Sequence, residues 1–70
     1  MNRLKALRTE RNLTQDELSK ASGVGRITIA RIENGSNTSL KILRRLAAAL
    51  GCTVEDLITE GRHEDRAASA

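Results

Sequence analysis

Only two residues, Gly23-Val24, separate two segments that each carry the end signals of a short helix. The first segment opens on Thr14-Gln15-Asp16-Glu17, a capping box in which the threonine hydroxyl and the glutamate carboxylate each accept a backbone N–H. Gly23 ends this segment, because glycine tolerates the left-handed conformation that closes a helix. Gly25 is a weaker N-cap for the second segment, since it offers no side-chain oxygen. The spacing predicts helices over 14–22 and 25–33, held nearly crosswise by a tight turn.

Apolar spacing predicts a helix on the N-terminal side of this pair. Leu4 and Leu7 lie three residues apart within residues 2–11, and Asn12 ends this helix. In the pair itself, the side chains expected to face inward are Leu18, Ala21, Val24, Ile29 and Ile32.

Two more helices are predicted after the pair. A fourth helix begins at Asn37, Thr38 or Ser39 and closes at Gly51. A short fifth helix follows Thr53, which has an acid three residues later. The apolar stripe of the fourth helix consists of Leu40, Leu43, Leu46, Ala47 and Leu50.

These elements predict one all-α domain, a compact five-helix bundle over residues 1–58, followed by a flexible polar tail over 59–70. No segment has the alternating pattern of a strand. The 70 residues include no Phe, Tyr or Trp, so the core must be aliphatic. A core of this size gives only about 3–5 kcal/mol, and self-association is therefore a plausible additional stabiliser.

Composition also excludes several classes of function. Without aromatic rings, the chain cannot stack unpaired bases in the manner of many single-strand modules. Cys52 is the only cysteine, which rules out an internal disulfide and fits a cytoplasmic setting. With His63 it makes too few ligands for a four-ligand zinc site, so neither metal nor cofactor is predicted. The longest apolar run, Leu46–Leu50, is far too short to span a membrane.

Positive charge is concentrated in the helical part of the chain. Residues 1–54 contain ten basic and four acidic side chains, a balance of +6, and residues 55–70 contain five acidic and two basic ones, a balance of −3. This asymmetry suggests a basic body facing an anion and an acidic end facing away. Chance clustering on a solvated surface would explain the charges as well.

Tight helix pairs are common in all-α proteins, so the residue pattern must decide. The relevant positions are Leu13-Thr14-Gln15, Glu17-Leu18, Gly23-Val24, Arg26, Thr28-Ile29, Arg31-Ile32, Glu33-Asn34-Gly35, Ser39-Leu40, Leu43, Leu46-Ala47, Leu50-Gly51, Val54 and Leu57-Ile58. At these positions the chain resembles the phage-repressor and Cro-type helix-turn-helix family, also called the XRE family. The resemblance covers about residues 3–58. It implies a lambda-repressor-like domain that binds double-stranded DNA and regulates transcription.

Four residues depart from the family pattern. Ser19 replaces the usual alanine, Gly25 stands where serine or threonine is preferred, and Ile27 replaces a small polar residue. Thr38 lies where proline is common. Ser19 is still small, so we expect the helix crossing to survive, whereas Gly25 is expected to loosen the start of the third helix.

The resemblance implies that the third helix reads base edges while the second rests on the DNA backbone. Arg26 and Arg31 could donate to guanine O6 and N7 or hold phosphates, and Ile27 could contact a thymine methyl. Ile27 could equally be a lone surface residue or extra core. The complete predicted DNA-binding set is Thr14, Gln15, Gly25, Arg26, Ile27, Thr28, Arg31, Asn34, Ser36, Asn37, Lys41 and Arg44.

The family also implies roles outside the third helix. Gln15 is expected at a phosphate, as helix N-termini favour anions, and the loop after the third helix is expected to contact phosphates through side chains and backbone N–H groups. Generic surface polarity is the alternative for all of these. Glu33 is interpreted as structural, paired with Arg8 or Arg11. A dimer interface is predicted at Leu50, Val54, Leu57 and Ile58, unless these side chains only close the monomer core.

Two functions follow from the resemblance. The first is a sequence-specific regulator, a repressor that binds a near-palindromic operator as a homodimer. The second is an antitoxin that binds a toxin and autoregulates its operon, with its acidic tail as a segment that folds onto the partner. An enzyme is not expected, because the chain has no nucleophile with a base, no metal cluster and no phosphate loop.

Overall fold

Five α-helices make up the regular structure of residues 2–58, the part of the chain that the computed structural model describes. No strand occurs in this part, and the all-α prediction is confirmed. In chain order the helices are α1 (Leu4–Glu10), α2 (Gln15–Ser22), α3 (Arg26–Glu33), α4 (Leu40–Leu50) and α5 (Val54–Ile58). The predicted tail, 59–70, lies outside the described residues.

The helix pair α2–α3 has the ends that the sequence predicts. Thr14 Oγ1 accepts the Glu17 N–H at 3.0 Å, and Glu17 Oε1 accepts the Thr14 N–H at 2.8 Å. Gly23 ends α2 with φ of +76°, a left-handed conformation that strains residues with a side chain. Gly25 precedes α3, and no side chain caps that helix.

The other helices also end at recognisable residues. Ser39 caps α4, because its hydroxyl accepts the Ile42 N–H at 3.2 Å. Thr53 and Asp56 form a reciprocal pair at the start of α5, with N–H to side-chain oxygen distances of 3.0 and 3.1 Å. Helix α1 is shorter than the predicted 2–11. Asn2 lies before the helix, and its side-chain oxygen accepts the N–H of Leu4, the first helical residue.

Ten aliphatic side chains form a single core. Helix α4 packs against α2 and α5, and α3 packs against α2 and α1. At the turn, Leu18, Val24 and Ile29 are buried together, as predicted, and hold the angle between α2 and α3. The complete core is Leu4, Leu7, Leu18, Val24, Ile29, Ile32, Leu46, Ala47, Leu50 and Leu57.

Two predicted core positions are wrong. Ala21 is exposed. The inner side of α2 is formed by Leu18 and the half-buried Ser22, and Ala21 lies about 60° from Leu18 on the other side. Leu40 is 52% exposed, because it is the first residue of α4 and lies beyond the part of that helix covered by its neighbours. The remainder of the predicted α4 stripe faces inward, with Leu43 half-buried.

The four residues predicted at a dimer interface divide into two groups. Leu50 and Leu57 are 3% and 1% exposed and complete the core of the single chain. Val54 is half-buried, and Ile58 is 41% exposed. Because an interface needs accessible surface, only Val54 and Ile58 have appreciable area to offer a second copy.

No helix within residues 2–58 is both long and apolar enough to cross a membrane.

Candidate nucleic-acid interface

Helix α3 presents two different faces. Ile29 and Ile32 are 0% and 2% exposed and attach the helix to the core. At 3.6 residues per turn, Ile27 and Arg31 lie on the opposite side, one above the other. Both are exposed, as is Arg26 at the start of the helix, and Thr28 is half-buried beside them. We call Arg26, Ile27, Thr28 and Arg31 the recognition face.

Basic side chains near this face have no carboxylate partner among the residues that the structure describes. Within residues 2–58, the ion pairs join Arg3 and Arg11 to Glu10, Arg8 to Glu33, and Lys20 to Asp16. The exposed cations of α3 and α4 are absent from these pairs; they are Arg26, Arg31, Lys41, Arg44 and Arg45. Their charge is therefore available to a polyanion such as a DNA backbone.

At the start of α2, a neutral polar side chain lies next to α3. Gln15 is the first residue of α2, and its Nε2 donates to Glu33 Oε1 at 3.1 Å. The two carboxylates in the same turn are directed elsewhere: Glu17 to the Thr14 N–H, and Asp16 to Lys20 at 3.6 Å. Gln15 thus remains the residue of this turn best suited to donate to a phosphate.

A buried ion pair fixes α3 against α1. Arg8 Nε donates to Glu33 Oε2 at 2.7 Å, and Arg8 Nη2 donates to Glu33 Oε1 at 3.2 Å. Of the two partners proposed for Glu33, the structure selects Arg8. The hydrogen bond to Glu33 raises the pKa of Arg8. Burial alone would raise the pKa of Glu33, but hydrogen bonds from Arg8 and Gln15 and the charges of Arg8 and Lys5 outweigh it, and the pKa is lowered.

Arg8 and Arg11 also tie helix ends together. Arg8 Nη1 donates to the Leu13 carbonyl at 2.7 Å, after the end of α1. Arg11 Nε donates to the carbonyl of Leu50, the last residue of α4. Both arginines are therefore engaged in the structure. They are poorer candidates for phosphate contact than the cations of α3 and α4, which form no ion pair within residues 2–58.

In the loop between α3 and α4, the first three backbone N–H groups are bonded within the fold. Ser36 N donates to the Arg31 carbonyl at 2.9 Å, Gly35 N to the Ile32 carbonyl at 2.9 Å, and Asn34 N to the Ala30 carbonyl at 3.1 Å. These three amides are occupied, whereas those of Asn37 and Thr38 have no acceptor within residues 2–58 and stay candidates for phosphate contact. The side chains of Asn34, Ser36 and Asn37 are exposed.

The structure adds information that the sequence could not supply. Arg45 of α4 lies beside the helix-turn-helix turn, where a methyl group on Gly23 would be 3.7 Å from its Nη1. The bond between Gln15 and Glu33 depends on the crossing of α2 and α3, and no local pattern signals it. Lys5 lies one turn before Arg8 on α1, and only the Arg8–Glu33 pairing locates it near α3.

Of the twelve predicted DNA-binding residues, ten are exposed. Gln15 and Thr28 are half-buried. The twelve residues lie at the start of α2, at the N-cap of α3, on the recognition face, in the loop after α3 and in the first turns of α4.

The sequence of this chain is similar to those of several known proteins. Residues 4–57 match the family described as helix-turn-helix. An uncharacterized HTH-type transcriptional regulator of Methanocaldococcus jannaschii is 44% identical over 57 residues, which cover 80% of this chain and 86% of that protein. The immunity repressor protein of Bacillus phage phi105 is 41% identical over 59 residues, which cover 83% of this chain and 41% of that protein. The HTH-type transcriptional repressor RghR of Bacillus subtilis is 42% identical, over 91% of this chain and 53% of that protein.

Five helices with an exposed third helix after a tight turn define a helix-turn-helix DNA-binding domain. The match over residues 4–57 and these relatives show that the chain belongs to the phage-repressor and Cro-type (XRE) helix-turn-helix family of DNA-binding transcriptional regulators. The predicted resemblance is confirmed.

Proposed function

We propose that this regulator is a repressor that binds a near-palindromic operator as a homodimer, with α3 in the major groove. The observation that carries the proposal is the recognition face, where polar and apolar side chains stand exposed opposite the buried Ile29 and Ile32. A helix presented in this way can enter the major groove while its other side stays packed. No enzymatic step is assigned to the chain.

Affinity and specificity have different sources in this proposal. Lys41, Arg44 and the arginines of α3 neutralise phosphates and release counterions, which gives affinity that depends steeply on salt. Arg26 or Arg31 donates to guanine, and Ile27 contacts a thymine methyl, which gives specificity. Gln15, Thr14 and the exposed loop side chains fix the register by contacting the backbone.

The direct test is a titration of a labelled duplex of about 20 base pairs between about 50 and 200 mM salt. We expect the affinity to fall along a straight line in a double logarithmic plot. A folded protein that fails to bind the duplex at the lowest salt would contradict the proposal.

Repression is supported by two relatives whose names describe repressors. A reporter gene whose promoter overlaps the selected site should be expressed less when the protein is present. A rise in expression would identify an activator instead. The antitoxin alternative stays a prediction, and co-purification of a second chain would favour it.

Dimerisation is supported by the accessible apolar side chains at the end of the domain. Ile58 is 41% exposed and Val54 is half-buried, and both lie on α5. A two-fold axis near Ile58 would let the same patch of each copy cover the other. Two recognition faces about 34 Å apart would then meet successive turns of one side of the duplex.

Light scattering tests the dimer with a matched pair of variants. We expect twice the chain mass of 7.6 kDa for the wild type and for Ile27→Ser, and a shift to monomer for Ile58→Ser. Both variants remove one exposed isoleucine, so general loss of apolar surface is controlled. A wild-type monomer at micromolar concentration would contradict this part of the proposal.

A further inference from the structure

The carboxylate of Glu33 has more donors than an ion pair requires. Its side chain is 5% exposed, and it accepts three N–H groups. Two come from Arg8, at 2.7 Å to Oε2 and 3.2 Å to Oε1. The third comes from Gln15 Nε2, at 3.1 Å to Oε1. The last residue of α3 therefore binds the first residue of α2 as well as α1.

The hydrogen bond to Glu33 restricts a side chain that would otherwise be mobile. A free glutamine samples several rotamers, and fixing it on binding a ligand costs entropy. The carboxamide of Gln15 has two N–H groups and one oxygen. Since Glu33 takes one N–H, the second remains for an acceptor such as a phosphate oxygen.

Two basic residues, Arg8 and Lys5, lie near the Glu33 carboxylate. Arg8 is 9% exposed and also donates to the Leu13 carbonyl, so three of its five N–H groups are bonded within the fold. Lys5 is exposed on the same helix one turn earlier. Glu33 is thus held in place by Arg8, and its Oε1 is a fixed anchor for Gln15.

We propose that Glu33 is a positioning residue for DNA binding, because its fixed carboxylate holds the Gln15 amide ready to donate its second N–H to a phosphate. This inference rests on the proposed function. It assigns to Glu33 a role beyond the ion pair with Arg8, and Glu33 does not itself contact DNA.

The test is a cycle of four proteins: wild type, Gln15→Ala, the paired variant Arg8→Met/Glu33→Leu, and the triple variant. Replacing both partners of a buried ion pair by apolar residues avoids an unpaired buried charge. Each protein is titrated with one duplex of about 20 base pairs at one salt concentration, and its folding is checked by circular dichroism.

In the wild-type background we expect Gln15→Ala to weaken duplex binding about fivefold. In the paired background the same change should have less than about a twofold effect, because Gln15 has already lost its anchor. Equal effects in both backgrounds, or no effect in the wild type, would overturn the inference. A wild type that binds duplex, with additive variants, would refute only the role of Glu33, whereas a folded wild type that binds no duplex would refute the proposed function.

A second measurement needs no variant and moves only if the side chain is positioned. Gln15 is the only glutamine of the chain, so its side-chain amide gives one assignable pair of NMR signals. We expect ¹⁵N relaxation of Nε2 in the free protein to show an order parameter near that of the rigid backbone. An order parameter as low as that of the exposed Asn12 side-chain amide would overturn the inference, even if the paired variant does not fold.

Discussion

Ile27 and Ile29 stand two residues apart on α3, yet the first is 65% exposed and the second is fully buried. Helix α3 thus places one isoleucine in the core and exposes another to solvent. Burial of Ile29 holds α3 against the core, whereas the side chain of Ile27 is not needed for that packing. The exposed isoleucine lies on the same side as Arg31, which makes it a candidate reader of DNA.

Ile27→Ala is expected to change recognition without changing stability. The free energy of unfolding should stay within about 0.5 kcal/mol of the wild type, since no buried contact is lost. Binding should lose its preference for thymine at one position of the selected site. Urea unfolding and duplex titration measure the two effects.

Deoxyuridine provides the matched control, because it removes only the thymine methyl group. Wild-type protein should bind more weakly when uridine replaces thymine at that one position, and Ile27→Ala should not respond. A wild type that is indifferent to the methyl at every thymine would show that Ile27 makes no such contact.

Arg31→Ala should weaken binding to the preferred duplex by about 1–3 kcal/mol at fixed salt. The control is Lys20→Ala, which removes the same charge from the outer side of α2, where Lys20 pairs with Asp16. The control should change affinity much less. If both variants lose the same amount, net charge rather than a contact by Arg31 explains the effect.

Much of the fold could be predicted because its signals are local. Thr14 and Glu17, Gly23, Ser39, and Thr53 with its acid act through neighbours two to four residues away, and such patterns are visible in the sequence. The predicted helices therefore appear. The start of α1 lies two residues later than predicted, and α2 and α3 each begin one residue later.

Burial was harder to predict, because it depends on which neighbour covers a position. Ala21 and Leu40 have suitable spacing but lie beyond the helix contacts. Leu50 and Leu57 are predicted at a dimer interface, although the small core of the single chain uses both. The Gln15–Glu33 bond joins residues eighteen positions apart and requires the actual crossing of α2 and α3.

Arg8→Ala should destabilise the fold by about 3 kcal/mol or more, because it leaves the Glu33 carboxylate buried without its partner. Arg8→Met/Glu33→Leu should recover at least half of that loss, since no charge then remains unpaired. Chemical unfolding of the two proteins measures the difference. A paired variant as unstable as Arg8→Ala would show that packing of the arginine, rather than its charge, dominates.

Acid should weaken the fold through Glu33. Its pKa is lowered from the ordinary value of 4.5, so below that value the unfolded chain binds a proton more readily than the native one. The stabilisation is complete above this pH and is lost as the pH falls through the native pKa. Unfolding free energies at several pH values from neutral to acid should therefore decline more steeply in the wild type than in Arg8→Met/Glu33→Leu. Equal slopes in the two proteins would remove Glu33 from the acid response.

Sequence-specific binding of duplex DNA by a dimer is tested most directly by selecting bound duplexes from a random pool. We predict an enriched near-palindrome whose half-sites are centred about 10 base pairs apart, one turn of the double helix. A folded protein that enriches no sequence would contradict specific recognition, and one unrepeated half-site would contradict the dimer.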